Sequence, residues 1–370
     1  MYSLSLSAVA LLASFLPTTF AQTSTACQPL NTTGCPNMEA LGGNVSLTFE
    51  KGYNIKIWDK PAAGEIKGTG ENGTSFMIAR SGDSPSIHSK FYLFFGRIEV
   101  VLKPAYGRGI VSSAILQSED LDEIDWEFLG GKPTHIMTNY YGKGNTTAGN
   151  RGFDYKVDKP PMEDFHNYTI DWTKERIQWI YDDKMIREVK FNDALPGGAN
   201  YPQTPMNIRI GSWAGGDTKK NAKGVVDWAG GETDFSQGPF TMMVKSVYAK
   251  DFTSAKEYSW EDMDQSGSWE KVKIIGKDQV SDIYKEITKP HGVNRWKALS
   301  TTTKIAILSS VAGVVVLAII ILAFCCIKQK RAGRKEYAAF QAQQNQEAAD
   351  FMHHKQQWQT SHRSSRYNRI

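Results

Sequence analysis

The chain has 370 residues and a net charge of +4, and the charge is unevenly divided. Residues 328–370 carry nine Lys and Arg against three Asp and Glu, or +6, which leaves −2 for residues 1–327. A chain of this length exceeds one typical domain unless part of it lies outside the domain. No internal repeat, nucleotide-binding motif or metal-binding motif occurs, so the sequence does not favour those classes of function.

The N-terminus predicts a secretory signal peptide over residues 1–21. An apolar run at 4–16 leads into Thr-Phe-Ala-Gln, a small-residue pattern that indicates cleavage after Ala21. The run of about 13 residues is too short to span a membrane. Since a signal peptide leads to an oxidising compartment, we expect Cys27 and Cys35 to form a disulfide.

Five Asn-X-Ser/Thr sequences predict N-glycosylation on the exported part of the chain. Their asparagines are Asn31, Asn44, Asn72, Asn145 and Asn167. None lies in the basic C-terminal segment, so their distribution supports an exported N-terminal part and an internal C-terminus.

Short alternating segments between about residues 49 and 252 predict an all-β domain. Apolar and polar residues alternate at 168–172 and again at 177–181, which together predict a hairpin. Gly, Asn, Asp and Pro interrupt the pattern at intervals of about 8–12 residues. No long segment has helical periodicity, so we expect one antiparallel sandwich or barrel of about 200 residues.

Residues 122–130 read Asp-Glu-Ile-Asp-Trp-Glu-Phe-Leu-Gly. On a β-strand, Glu123, Asp125 and Glu127 point to one face and the apolar residues between them to the other. Asp and Glu are depleted in strands, and three such neighbours repel one another, so at least one holds a proton near neutral pH. Glycoside hydrolysis requires this combination of an ionised carboxylate and a carboxylic acid.

The spacing of these acids leaves the stereochemistry of such a reaction open. At about 3.3 Å per residue, the Cα atoms of Glu123 and Glu127 lie about 13 Å apart. Retaining enzymes hold the two carboxyl groups about 5–5.5 Å apart and inverting enzymes about 6.5–9.5 Å. Sheet curvature and the length of the two side chains decide between these mechanisms.

Several separated motifs occur along the chain. They begin at Phe95 (FGRIEV), Gly109 (GIVSSAILQS), Asp122 (DEIDWEFLG), Asn139 (NYYGKGNTT), Phe165 (FHNYTIDW) and Trp228 (WAGGETDF). Together they resemble glycoside hydrolase family 16 and, within it, the fungal Crh-type cell-wall transglycosylases. The resemblance covers about residues 27–269.

The resemblance implies a concanavalin-like antiparallel β-jelly-roll sandwich with a concave substrate cleft, which we expect over residues 22–254. It also implies retention of configuration through a covalent intermediate. Matched by position, Glu123 is the nucleophile, Glu127 the general acid/base, and Asp125 the residue that orients Glu123. No metal or cofactor is implied.

The implied reaction cleaves a chitin donor through a glycosyl-enzyme and transfers it to β-glucan or chitin, with chitin hydrolysis as a side reaction. Carbohydrate clefts use aromatic faces against sugar rings and polar side chains against hydroxyl groups. The candidate substrate contacts are Gln117, Glu127, Tyr140, Arg209, Trp213, Trp228 and Thr233. Either Trp213 or Trp228 could instead be a packing residue.

Three further tryptophans are predicted to be structural. Trp126 faces away from the acids by alternation, and Trp172 and Trp179 occupy apolar strand patterns. We expect all three in the core.

Two other functions remain open at this point. An endo-β-glucanase without transfer has the same acids, because water and a sugar hydroxyl can both intercept a glycosyl-enzyme. A membrane receptor with a carbohydrate-binding sandwich is the second alternative. Binding alone does not need three acids on one face, which argues against the receptor.

The C-terminal part predicts a membrane anchor. Residues 255–304 are mixed and polar, which favours a stalk. Residues 305–327 contain no charge and would cover about 35 Å as a helix, enough to span a bilayer. The basic residues that follow predict a disordered cytoplasmic tail at 328–370 and a single-pass type I plasma-membrane protein. Because 43 mostly hydrophilic residues follow the apolar run, a glycolipid anchor signal is not expected.

Overall fold

The computed structural model describes residues 25–60, 62–145, 151–289, 296–297 and 299–367. The predicted signal peptide lies outside these residues. The chain divides into two compact units after Lys289, and each is described by itself.

The first unit is built from antiparallel β-strands, as the alternating pattern predicts. Its described strands are β1 (Met38–Glu39), β2 (Asn44–Thr48), β3 (Trp58–Asp59), β4 (Glu65–Gly68), β5 (Thr74–Ile78), β6 (Ser86–Leu93), β7 (Gly96–Lys103), β8 (Ile110–Ser118), β9 (Glu123–Leu129), β10 (His135–Tyr141), β11 (Phe153–Lys156), β12 (His166–Trp172), β13 (Arg176–Tyr181), β14 (Lys184–Lys190), β15 (Met206–Ala214), β16 (Phe240–Asp251), β17 (Glu257–Ser259) and β18 (Lys273–Ile275). Helices α1 (Lys223–Trp228) and α2 (Asp282–Thr288) belong to the same unit.

Two large sheets form the sandwich. One has the strand order β11-β10-β9-β8-β15-β6-β3. The other has the order β14-β13-β12-β7-β16-β5-β4, with β2 paired to β16 beside this path. A third, small sheet has the order β1-β17-β18. Strand β9, which carries the three acids, is therefore an inner strand of the seven-stranded sheet, paired antiparallel with β8 and β10.

The hydrophobic core lies between the two large sheets and supports β9 from behind. Ile124, Trp126 and Phe128 are completely buried. The Trp126 indole donates to the Thr169 carbonyl of β12 at 3.3 Å, and its ring centroid lies 5.5 Å from that of Tyr168. Apolar side chains at every second position thus anchor the strand and leave the acids on its other face.

The other two structural tryptophans are also confirmed as core residues. Trp172 and Trp179 are completely buried. The Trp179 indole donates to the backbone carbonyl of Asp125 at 2.9 Å, so β13 of the opposite sheet contacts the middle of the acidic strand. This contact limits movement of the β9 backbone.

The expected stalk is wrong for its first part, because the globular unit extends to Lys289 and does not end at 254. Strand β17 pairs with β1 and β18. Tyr258, Trp260 and Ile283 are buried. The composition of this segment is polar because a small sheet and a short helix that dock at the edge of a sandwich need only a few apolar contacts.

The second unit contains the helix α3 (Thr301–Tyr367), which includes the predicted span and most of the tail. Its apolar part is long and hydrophobic enough to cross a membrane, and no side chain in that part is buried against protein. The prediction of a disordered tail is wrong here, because the helix continues through it. The tail is rich in Gln, Ala, Lys and Arg, which favour helix, and it contains no Pro that would interrupt one.

Candidate active site

The three acids of β9 line one cleft on the face of the seven-stranded sheet that points away from the core. The cleft has a volume of about 530 Å³. Its lining residues are Leu121, Glu123, Asp125, Glu127, Asn139, Tyr141, Gly144, Trp213, Val225 and Trp228. The structure therefore brings together the acids and the two tryptophans that are far apart in sequence.

Glu123 is held in place by a hydrogen bond from the neighbouring strand. Its side chain accepts a hydrogen bond from the Gln117 amide, which is completely buried on the neighbouring strand β8. The register places Gln117 directly opposite Glu123, so both side chains share one face of the sheet. A donor of this kind favours the ionised form of Glu123.

A buried arginine provides positive charge beside the same carboxylate. Arg209 of β15 is 3% exposed and interacts electrostatically with Glu123. Burial lowers the pKa of Arg209, and Glu123 is among the negative groups that oppose this change. Burial and the charge of Arg209 lower the pKa of the adjacent His88 to about 3, so this histidine is neutral. Of these two basic residues, only Arg209 therefore carries a positive charge.

Asp125 lies in the middle of the row and is completely enclosed. Both of its carboxyl oxygens are buried and receive no hydrogen bond from a donor in the described residues. Burial, followed by the charges of Glu123 and Glu127, raises the pKa of Asp125 well above its usual value. A hydrogen bond with the Glu123 carboxyl group also contributes to this rise and favours the protonated form of Asp125.

Glu127 is the acid nearest the far end of the strand and is partly accessible from the cleft. Burial, with a smaller contribution from the charge of Glu123, raises the pKa of Glu127 to about 8. It therefore keeps its proton at neutral pH. The row thus combines a carboxylate favoured in its ionised form with a carboxylic acid, the combination that cleavage of a glycosidic bond requires.

Two tryptophans form an aromatic wall of the cleft. The rings of Trp213 at the end of β15 and Trp228 at the end of α1 are stacked, with centroids 6.2 Å apart and an interplanar angle of 18°. Trp228 is 37% exposed, whereas Trp213 packs partly against the buried Val111 and Leu129. An exposed, rigid aromatic face of this kind suits the apolar face of a sugar ring.

Four of the predicted substrate contacts do not line the cleft. Tyr140 lies opposite Ile124 and so points into the core, where its ring is 6.4 Å from that of Trp179. Thr233 is buried against the backbones of Gly109 and Gly216. The third, Arg209, supports Glu123 from beneath the cleft surface. Gln117 has the same supporting position.

The cleft residue that the sequence pattern missed is the neighbour of Tyr140. Tyr141 lies opposite Glu123 on β10, and its hydroxyl accepts a hydrogen bond from the Asn139 amide at 2.8 Å. The Arg151 guanidinium lies 4.3 Å from the centre of the Tyr141 ring. Alternation from the buried Ile136 would have selected Asn139 and Tyr141 in place of Tyr140.

The remaining site predictions concern the disulfide, the glycosylation sites and metal binding. Cys27 and Cys35 form the predicted disulfide. Among the sequon asparagines, Asn31, Asn44 and Asn72 are exposed, and Asn145 and Asn167 are partly exposed. Within the described residues, no group of three His, Cys, Asp or Glu side chains is arranged to hold a metal ion.

Comparison with known proteins gives consistent relatives. The profile of glycosyl hydrolases family 16 matches residues 49–230. A Crh-like protein from Arthroderma benhamiae is 45% identical over 356 residues, which cover 95% of this chain and 95% of that protein. Crh-like protein 2 from Botryotinia fuckeliana is 45% identical over 325 residues, covering 86% of this chain and 70% of that protein.

A solved structure matches the first unit. The structure of apo Crh5 transglycosylase has a TM-score of 0.62 and 46% sequence identity, covering 67% of this chain and 100% of that chain. A second structure of that protein, in complex with NAG, matches with the same TM-score. The described sandwich is thus similar in fold to that of a transglycosylase.

Proposed function

Since the chain belongs to glycosyl hydrolases family 16 and to its fungal Crh-like proteins, we propose that it is a retaining transglycosylase of the cell wall. In this proposal it cleaves chitin and transfers the fragment to β-glucan or to chitin. The observation that carries the proposal is the row of three acids in one cleft, in which Glu123 and Glu127 favour opposite protonation states.

In the first step, the Glu123 carboxylate attacks the anomeric carbon of the donor sugar. The bond from this carbon to the glycosidic oxygen breaks, and the Glu127 proton moves to the leaving oxygen. The products are a glycosyl ester on Glu123 and a shortened chitin chain. The raised pKa of Glu127 supports its role as the acid, because the proton is present at neutral pH.

In the second step, the ionised Glu127 removes a proton from a hydroxyl group of the acceptor. The acceptor oxygen attacks the anomeric carbon, and the bond to Glu123 breaks. When the acceptor is water, the same step is hydrolysis. Two inversions at one carbon give net retention, so the new bond has the configuration of the old one.

Asp125 supports both steps through the proton that it holds. A hydrogen bond from protonated Asp125 stabilises the Glu123 carboxylate before attack and again when Glu123 leaves. Trp213 and Trp228 provide the stacking surface for a sugar ring in the cleft. Leu121 and Val225 add apolar surface to the same cleft. Apolar side chains near a glycosyl-enzyme favour a sugar acceptor over water, because they limit the access of water.

The decisive experiment uses a defined chitin oligosaccharide as donor and a labelled β-glucan oligosaccharide as acceptor. Mass spectrometry should detect a labelled product lengthened by N-acetylglucosamine units, and NMR should show retained configuration. Shortened donor with no labelled hybrid would identify a hydrolase. Binding without turnover would identify a carbohydrate receptor.

The proposed location is the plasma membrane, with the catalytic unit facing the cell wall. The apolar part of α3 and the basic residues that follow it support a single span with an internal C-terminus. Protease added to intact protoplasts should remove the catalytic unit and leave the tail protected. An N-glycosidase should lower the apparent mass of the wild type more than that of a variant with Asn31, Asn44 and Asn72 changed to Gln.

A further inference from the structure

The residue directly before the nucleophile candidate is another acid, which is buried and surrounded by hydrogen-bond donors. Asp122 is completely buried. Its Oδ1 accepts from the backbone N–H of Lys143 at 2.8 Å, and its Oδ2 accepts from the N–H groups of Gln203 at 2.7 Å and Thr204 at 3.0 Å. The Thr204 hydroxyl lies 2.9 Å from the same Oδ2. Asp122 therefore joins three segments of the chain by hydrogen bonds and does not only fill space in the core.

The charge of Asp122 is also balanced. The Lys143 ammonium lies 3.8 Å from Oδ1 and is mostly enclosed. Within the described residues it has no hydrogen-bond partner, so its interaction with Asp122 is electrostatic. The neighbouring Asp120 is completely buried, and burial raises its pKa to about 7. A protonated Asp120 leaves Asp122 and Lys143 as a neutral pair.

Each segment tied to Asp122 continues into the cleft. The turn before β9 contributes Leu121 to the cleft wall, and β9 itself begins at Glu123. The segment after β10 contributes Gly144, whose N–H donates to the Leu121 carbonyl at 2.8 Å. The third segment, at 203–204, leads into β15.

Strand β15 connects the segment at 203–204 with two residues of the site. It carries Arg209, which lies beside Glu123, and Trp213 of the aromatic wall. A displacement at 203–204 would therefore reach the nucleophile candidate from one side, while a displacement at Asp122 would reach it along the chain. Small displacements are sufficient, because a shift of about 1 Å can lower a reaction rate by about 100-fold.

We propose that Asp122 is a positioning residue for the reaction. Through Lys143 and Thr204 it sets the position of Glu123 relative to the other residues that line the cleft, which include Leu121, Gly144 and Trp213. The proposal rests on the proposed function of the cleft. Asp122 is completely buried and does not line the cleft, so it acts through Glu123.

The chain offers a matched control for this role. Asp251 is also a buried aspartate that accepts four hydrogen bonds, from the N–H groups of Gly42, Phe94 and Thr253 and from the Tyr258 hydroxyl. It lies at the junction with the small third sheet. Asp251→Asn changes a buried carboxyl group in a comparable network, and none of its four donors belongs to a residue that lines the cleft.

The experiment compares Asp122→Asn and Asp251→Asn with the wild type on the chitin donor and labelled β-glucan acceptor. Both variants should have a lower melting temperature. At a temperature at which both are folded, Asp122→Asn should lower kcat by about 10- to 100-fold while KM for the donor changes less than about twofold. Asp251→Asn should retain the wild-type kcat. Equal kcat values in the two variants would overturn the proposal.

A milder pair of variants decides the question if Asp122→Asn does not fold. Thr204→Val removes the hydroxyl group but keeps the backbone N–H, and it should lower kcat by about 3- to 10-fold at unchanged KM. Thr204→Ser keeps the hydroxyl group and should restore kcat. Wild-type kcat in Thr204→Val would contradict the proposal.

A structural measurement separates this inference from the proposed function. Crystal structures of Asp122→Asn or Thr204→Val should show the Glu123 carboxyl group displaced from its wild-type position, and that of Asp251→Asn should not. An inactive wild type would contradict the proposed function alone. An undisplaced Glu123 in Thr204→Val would contradict the positioning role alone.

Discussion

Two buried aspartates of the same sandwich, Asp125 in the acid row and Asp251 beside the small third sheet, differ in the donors around them. Asp125 receives no hydrogen bond from a donor in the described residues, whereas Asp251 accepts four. Burial raises the pKa of Asp251 to about 7 and that of Asp125 well above its usual value. Burial alone favours the protonated form in both places, and the donors at Asp251 oppose it.

The number of hydrogen-bond donors around a buried carboxyl group distinguishes a catalytic role from a structural one. Carboxyl groups with few donors share protons with one another, which is useful for general acid catalysis. Carboxyl groups with many donors join segments of backbone. The predictions below remove a carboxylate, a proton or a donor from one region or the other, in order of decreasing effect.

The largest effect is expected for Glu123→Gln, which removes the nucleophile candidate but keeps its size. Transfer and hydrolysis should both fall by about 10³-fold or more, because no ester with the sugar can form. The melting temperature should change little. Glu188→Gln, at an exposed position on β14, is the control and should retain activity. Activity above a few percent in Glu123→Gln would remove this residue from the nucleophile role.

The next effect concerns the proton of Glu127. Because the pKa of Glu127 is raised to about 8, the protonated acid is present below this pH and is lost above it. The kcat/KM for chitin oligosaccharides should therefore fall as the pH rises through about 8. Glu127→Gln should be about 100-fold less active on these substrates. It should be much less impaired on an aryl glycoside whose leaving group needs no proton, and equal losses on both substrates would exclude the acid role.

A smaller effect is expected when the donor to Glu123 is removed. Gln117→Leu should lower kcat by about tenfold, because the ionised form of Glu123 loses a hydrogen bond. The acidic limb of the pH profile should move to higher pH, since Glu123 then keeps its proton more readily. Gln178→Leu is the matched control: this partly exposed amide donates to Glu188 at 2.7 Å outside the cleft. An unmoved acidic limb in Gln117→Leu would contradict the role.

The smallest effect on activity is expected in the architectural region. Tyr258→Phe removes the hydroxyl group that donates to Asp251 at 2.6 Å and should lower the free energy of unfolding by about 1.5–3 kcal/mol, with kcat unchanged. The pKa of Asp251 is about 7 in the folded protein against a usual value of 3.8. The folded state thus binds more protons between these values, and the contribution of Asp251 to stability declines as the pH rises from about 4 to about 7.

In Tyr258→Phe this decline should extend to higher pH, because the Tyr258 hydroxyl lowers the pKa of Asp251 in the wild type. Urea unfolding followed at several pH values measures the effect. A wild-type pH dependence of stability in Tyr258→Phe would show that this donor does not stabilise the ionised form. A lowered kcat would show that the junction reaches the cleft after all.

Local pattern was sufficient for the acid row and for the tryptophans behind it. The period of two along a strand assigns Glu123, Asp125 and Glu127 to one face and Trp126 to the core without knowledge of the other strands. The same rule, applied to β10 from Ile136, selects Tyr141 as a cleft residue. Tyr140, which was predicted to lie in the cleft, is on the opposite face of the same strand and points into the core.

Local pattern could not predict contacts between segments that are far apart in the sequence. Gln117 and Arg209 look like cleft residues in the sequence, but the pairing of β8, β9 and β15 makes them supports of Glu123. The polar stretch after residue 254 becomes part of the globular unit because β17 finds a partner in β1.

By itself, the sequence determined the class of the fold, the shared face of the acids, the disulfide and the apolar segment near the C-terminus, because each depends on residues close together in the chain. Only the tertiary structure decided the protonation of the acids and the role of Asp122. Both depend on burial and on donors supplied by segments far away in sequence, such as Lys143 and Thr204. Strand periodicity specifies a direction for each side chain but not the neighbours that it meets there.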